Sequence, residues 1–242
     1  MGDLHLHFQT EVKARFQLTD PVWRDHESRV AANCARLVRP GDTLVLLGDH
    51  SWGKKLAQCQ EDLRFIENLP GRKVLFRGNH DMFWDANRTA SLNDQYKGRL
   101  EFVQNGFAAY RDWALVGTKG YTFEGPFYLD RRGRVKGWDE EAKEQADKLV
   151  ERETERLRLS FEAARAAGYS RFLMFLHYPP TNILERESGF TRMAEQYGAE
   201  QVIYAHCHGR ERFHDSLLGT VNGVRYSLAS GDYLLWRPML VV

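Results

Sequence analysis

The chain has 242 residues, 43% hydrophobic and 28% charged, which suits a packed single domain over residues 1–242 and argues against disorder. With 34 basic and 33 acidic residues, net charge does not indicate a nucleic-acid partner, though a small phosphate substrate is allowed. Three scattered cysteines, Cys34, Cys59 and Cys207, fit a reduced, cytoplasmic setting; no run approaches the ~20 apolar residues of a membrane span, so no membrane association is expected.

At the N-terminus Asp3, Glu11, Lys13 and Arg15 interrupt any signal-peptide core. Asp3-Leu4-His5-Leu6-His7 alternates polar and apolar residues. In an extended strand this pattern puts Asp3, His5 and His7 on one face. An acid and a histidine on one face make half of a metal site, and an exposed strand end is the plainer alternative.

A helix is predicted over about 25–39, closed by Pro40-Gly41, with Val30, Cys34, Leu37 and Val38 on its apolar stripe. Thr43 to Leu47 reads as a buried strand running into Gly48-Asp49-His50. An acid just past such a strand is where open α/β sheets place their chemistry; an N-cap is the other reading of Asp49. A second helix is predicted over about 54–69, and a strand over 73–76.

That strand leads into Gly78-Asn79-His80-Asp81. Gly78 permits a tight turn, Asn79 offers a neutral oxygen ligand, and His80 offers an imidazole that can deliver a proton. Asp81 is placed to hold the His80 ring through its second nitrogen. By itself the tetrapeptide equally describes a surface turn.

Residues 83–94 are predicted helical. Three short strands follow at 100–103, 107–110 and 113–116, a change of rhythm that suggests a second, partly antiparallel sheet. Residues 117–138 show no clear period and carry Arg131, Arg132, Arg134 and Lys136, which either meet an anionic substrate or form a solvated loop. A long helix is predicted over 139–167, ended by Gly168. The apolar run 172–176 delivers His177, and 201–204 delivers His206-Cys207-His208. The two histidines share a face, and Cys207 reads as a small packed residue. The chain closes in a predicted hairpin of 223–229 with 233–242.

Five short motifs thus supply Asp3, His5, Asp49, Asn79, His177, His206 and His208 as donors, with His80 and Asp81 left over. That is too many for one metal ion and about right for two. Carboxylate, amide and imidazole suit Mn²⁺ first, with Fe or Zn²⁺ as alternatives.

In this order the motifs resemble those of the calcineurin-like metallophosphoesterase superfamily, over residues 3–209. Gly48-Asp49-x-Ser51-Trp52, Arg77-Gly78-Asn79-His80-Asp81, Gly117-Thr118-Lys119-Gly120-Tyr121 and His177-Tyr178-Pro179-Pro180 look like one bacterial branch of predicted phosphohydrolases. The resemblance implies an α/β fold, a four-layer α/β/β/α sandwich of two mixed sheets. It implies two divalent cations, one held by Asp3, His5 and His208, the other by Asn79, His177 and His206, with Asp49 bridging. It further implies hydrolysis of a small phosphate mono- or diester by metal-activated water, with His80 as general acid oriented by Asp81. The alternative is a catalytically silent metal-binding scaffold for protein–protein interaction. The chain departs from the pattern in three ways: only Met1 and Gly2 precede Asp3, Ala205 and Cys207 flank the ligands, and His50 follows Asp49, a position within reach of substrate.

Overall fold

The computed structural model describes residues 1–12 and 14–242. In chain order its elements are α1 (Arg15–Thr19), α2 (His26–Leu37), β1 (Thr43–Leu47), α3 (Gln60–Glu67), β2 (Arg72–Phe76), α4 (Thr89–Gln95), β3 (Leu100–Val103), β4 (Phe107–Tyr110), β5 (Trp113–Thr118), β6 (Phe127–Leu129), β7 (Val135–Trp138), α5 (Glu140–Ala166), β8 (Arg171–Leu176), α6 (Gly189–Tyr197), β9 (Ala199–Tyr204), α7 (Gly209–His214), β10 (Gly219–Val221) and β11 (Val224–Leu228).

β1, β2 and β3 form a parallel sheet. A six-stranded sheet runs β10-β11-β9-β8-β5-β4, parallel at its centre and antiparallel at both edges. The protein is therefore mixed α/β. Of its two main sheets only the larger is mixed, because β3 returns to pair with β2 in parallel rather than joining β4 and β5 in the second sheet.

Side-chain alternation along the strands explains the packing. Leu47, Val74 and Phe76 cluster with Leu115, Leu173, Phe175 and Ile203 of the larger sheet. Their neighbours Leu46 and Leu75 cluster instead with Val30 and Cys34 of α2 and Leu63 and Ile66 of α3. Across the larger sheet, Val116, Phe172 and Met174 pack with Leu157 and Phe161 of α5 and Phe190 of α6. Phe161 and Phe172 are essentially fully buried. Truncating such a ring to Ala costs ~3–5 kcal/mol. The long helix starts where Asp139 accepts from the Ala142 N–H at 2.8 Å. A cavity of about 460 Å³, lined by Val45, Leu115, Leu173, Phe175, Ile203 and Met239, contains none of the predicted site residues.

Several expectations needed correction. The 54–69 helix is shorter, because a 3-10 turn at Leu56–Gln58 precedes α3. Residues 83–94 hold a turn and a 3-10 segment at Ala86–Arg88 before α4 begins. The aperiodic 117–138 stretch contains the β6–β7 hairpin, turned by Asp130, whose carboxylate accepts the Arg132 and Arg134 N–H groups. The closing hairpin lies further upstream. Asn222 and Gly223 both take positive φ, 50° and 82°, and this pair turns β10 onto β11, leaving 233–242 outside any strand.

The N-terminal segment is not a strand either. Met1 C=O accepts from Leu47 N–H at 3.1 Å, and Gly2 N–H donates to Ala229 C=O at 2.7 Å. These bonds wedge the segment between the two sheets and fix the start of the site.

Candidate metal centre

β1, β2, β8 and β9 run parallel within their two sheets, and the site is built just past their C-terminal ends. From Asp3 onward the first segment follows the chain after β1: Asp3, His5 and Leu6 N–H groups donate to the carbonyls of Gly48, Asp49 and His50 at 3.0, 2.8 and 3.0 Å. Leu4 and Leu6 anchor it in the core. Asp3, His5, Asp49 and His206 all sit in the left-handed region, with φ of 60°, 43°, 52° and 70°. Left-handed backbone is strained for such residues and persists when the surroundings over-determine it, as at functional sites. The expected face-sharing of His7 with Asp3 and His5 is lost with the strand. The His7 ring instead lies beside Gln17 and Glu27.

Donor atoms fall into two groups. Those of Asp3, His5 and His208 lie within 4.8 Å of one another, as do those of Asp49, His177 and His206. Asp49 reaches both: its Oδ2 is 3.6 Å from His5 Nε2 and 3.4 Å from His177 Nε2. Asn79 joins the second group through Oδ1, 2.7 Å from His177 Nε2, and His206 Nδ1 is 3.2 Å from the same nitrogen. His177 Nδ1 faces Leu47 C=O at 2.8 Å, which needs a proton on Nδ1 and leaves Nε2 directed at the other donors. All seven predicted donors are therefore brought together.

Their chemistry fits cations. Asp3 Oδ1 and both ring nitrogens of His5 are buried with no hydrogen-bond partner among the described residues. Buried polar atoms left unpartnered are costly, and a cation would meet the acceptors among them, Asp3 Oδ1 and the unprotonated His5 nitrogen. Burial holds the His5 imidazole well below its usual range, assisted by His208, His80 and His177 and opposed by Asp49, so it is neutral as a ligand must be. At His177 burial acts downward, but the Asp49 and Asp3 carboxylates outweigh it and raise the imidazole to about 9. Without metal, the carboxylates thus draw positive charge onto that ring.

Close backbone approach makes this geometry depend on two glycines. A Cβ on Gly78 would lie 2.2 Å from Asp49 Oδ1; one on Gly48, at φ +81°, would lie 2.7 Å from His177 Nδ1.

His80 lies beside this cluster. Its N–H donates to Asp49 Oδ1 at 2.8 Å, and its ring centroid is 4.6 Å from Trp52 and 5.6 Å from His5. Asp81 does not orient it. The fully buried Asp81 carboxylate accepts from the Gly78, Asp49 and His50 N–H groups at 2.7, 3.0 and 2.8 Å, and faces His50 Nδ1 at 2.9 Å. The physical reason is local: three converging amides and a buried imidazole already surround it. His50, equally buried, is a partner of Asp81 and not an open contact for substrate.

Two residues of the surroundings escaped sequence reading. Both Glu124 oxygens lie 3.2 Å from His206 Nε2, and Arg212 also donates to Glu124. Burial raises the Glu124 carboxyl, but His206 and Arg212 prevail and bring it to about 2. Asp232 Oδ1 lies 3.2 Å from His208 Nδ1 and accepts from Tyr233 N–H, while Oδ2 accepts from Gly209 N–H. Glu124 has no sequence signal, since it lies in the aperiodic stretch. Asp232 had one: Gly231-Asp232 closely follows an apolar strand, as Gly48-Asp49 does.

Comparison with known proteins adds the context. The calcineurin-like phosphoesterase family profile matches residues 1–210. The Gene 66 protein of Mycobacterium phage L5 is 36% identical over 89 residues, 37% of this chain; the match spans 42% of that relative's length. Among solved structures, a protein of unknown function from Aquifex aeolicus superposes with a TM-score of 0.50 at 15% identity, over 99% of this chain and 92% of the other. A Thermus thermophilus protein gives 0.48 at 13% identity over 77% of each. Among the described residues no helix is long and apolar enough to cross a membrane.

Proposed function

The chain belongs to the calcineurin-like phosphoesterase family, and from that premise we propose that it hydrolyses a small phosphate ester at a centre of two divalent cations. One observation carries this reading: two groups of three donors, each within 4.8 Å, with Asp49 reaching both. Asp3, His5 and His208 would hold one cation, and Asn79, His177 and His206 the other, with Asp49 between them. When bound, the pair supplies positive charge to the phosphoryl oxygens and acidifies water at neutral pH. Mn²⁺ suits this mixture of carboxylate, amide and imidazole, as do Fe and Zn²⁺.

The chain's own residues do the rest. Asp49 and Asp3 balance the cationic charge. Glu124 and Asp232 hold the outer nitrogens of His206 and His208, so Nδ1 of the first and Nε2 of the second face inward. His80, fixed through its N–H to Asp49 and by the Trp52 ring, gives a proton to the leaving oxygen. Asp81 acts one step back: it ties the Gly48–His50 turn to the Gly78–Asp81 turn.

Metal-stripped protein should be inactive on an aryl phosphate ester and recover with Mn²⁺; turnover indifferent to chelator defeats the reading. His80→Ala should lower kcat by ~10²–10⁴-fold while metal content stays constant. An unchanged rate removes His80 from the acid role.

A further inference from the structure

Two basic side chains beside the centre, Arg77 and Lys119, make no ion pair among the described residues. Arg77 ends the approach to the central turn, two residues before Asn79. Its guanidinium makes no hydrogen bond or ion pair among the described residues, and its Nε is buried without a partner. Lys119 directly follows β5, and its carbonyl accepts from the His177 and Tyr178 N–H groups at 3.1 and 2.9 Å. Its ammonium likewise lacks an ion pair among the described residues. It lies only over aromatic faces, 5.4 Å from the Tyr121 centroid and 5.3 Å from that of Tyr178. The Tyr178 ring is in turn 4.1 Å from the ring of His206. Lys119 therefore flanks the His177–His206 side of the centre, and Arg77 is near enough to act on its ammonium.

The nearby acid is already taken. Glu153, fully buried on α5, receives Arg156 at 2.6 Å and Arg152 at 3.3 Å on one oxygen, and the Thr118 hydroxyl at 2.6 Å on the other. Burial lowers the Lys119 pKa, Glu153 opposes it, and Arg77, Arg152 and Arg156 add to the lowering. Half-buried positive charge left uncompensated is unfavourable, and it persists where an anion supplied from outside completes the site. Arg and Lys are the side chains that recognise phosphate, the first by its fork and the second as a point charge.

We propose that Arg77 and Lys119 receive a second phosphate of the substrate, so that the ester taken at the metal centre is an organic bisphosphate. This rests on the phosphoesterase reading above and names its substrate class. The scissile phosphate would occupy the centre, with the second phosphate on the Tyr178 side. The exposed arginines of the β6–β7 hairpin are poorer candidates, since Arg134 is already paired with Asp130 at 2.8 Å.

The test uses the full chain loaded with Mn²⁺ and two esters that differ only in one group, an alkanediol monophosphate and its bisphosphate. The parent should favour the bisphosphate in kcat/KM by about tenfold or more, as loss of a charged contact in a partly desolvated site would suggest. Lys119→Gln and Arg77→Gln should each bring that ratio toward one, Lys119→Arg should restore most of it, and the remote Lys148→Gln should keep it. No preference in the parent, or a preference kept in both Gln variants, overturns the proposal while leaving the phosphoesterase reading intact. If the parent turns over neither ester, that reading fails. Calorimetry of the bisphosphate on the metal-loaded protein then decides the subsite: about tenfold weaker binding in the Gln variants supports it, and equal binding overturns it. Circular dichroism confirms that each variant is folded, and Arg77→Gln stands in should Lys119→Gln misfold.

Discussion

The two halves of the centre are built from similar donors and surrounded differently. On the Asp3–His5–His208 side the walls are aromatic. His5 stacks on Trp52 at 4.5 Å and 21°, His208 stacks on Phe16 at 4.5 Å and 22°, and Trp23 lies 5.6 Å from His5. On the Asn79–His177–His206 side one ring, Tyr178, lies 4.1 Å from His206, and charged groups surround it: Glu124 and Arg212 behind His206, and Lys119 over Tyr178. A ring held by flat neighbours loses freedom through packing, whereas a ring held by a carboxylate is held by its proton. The first half is thus walled mainly by rings, with Asp232 as its one outer carboxylate, and the second has more ionic groups around it.

The largest test of this contrast is the residue both halves share. Asp49→Asn removes the negative charge that reaches His5 and His177, so both halves should lose cation affinity and the rate should fall by roughly 10³-fold or more, several kcal/mol of charge stabilisation being at stake. Metal content by mass spectrometry and kcat report the two effects separately. Loss of one equivalent with the other retained would mean that Asp49 serves a single half.

Next in size come the carboxylates behind the rings. Glu124→Gln and Asp232→Asn should each weaken metal binding by ~10–100-fold. Glu124→Gln should cost more, because both Glu124 oxygens lie 3.2 Å from His206 Nε2, whereas a single Asp232 oxygen faces His208 Nδ1. Competition with a chelator measures both. Equal losses would mean that the second Glu124 oxygen adds nothing to ligand placement.

The smallest expected effect is on folding. Asp62 lies beneath the His5 side, accepting from Phe8 N–H at 2.9 Å and from the Ser51 hydroxyl. Burial raises its carboxyl pKa, and the Ser51 and Phe8 hydrogen bonds only reduce the shift. An acid whose folded pKa is raised favours folding in its protonated form, so its contribution worsens as pH climbs from the unfolded value, 3.8, through the folded one. Asp62→Asn lacks this titration. The urea midpoint of the variant should therefore gain on that of the parent as pH rises above about 4. A pH-independent difference would show that Asp62 is effectively solvated.

The sequence alone singled out the seven residues that meet at the candidate centre, and most of the strands that present them. It could do so because each of Asp49, Asn79, His177 and His206 follows an apolar run within a few residues, and a buried strand ending in polar atoms is a local pattern. Tertiary structure decided what surrounds them. Asp81 turned to His50 rather than to His80 because two turns far apart in sequence close on one carboxylate. Glu124 and Asp232 reach their histidines across 82 and 24 residues, which no periodicity encodes. Arg77 and Lys119 read in sequence as ordinary charged residues beside turns. Only folding put them near one another, with Glu153 already engaged by its own helix, because whether a charge is compensated depends on which acids lie within a few ångströms in space.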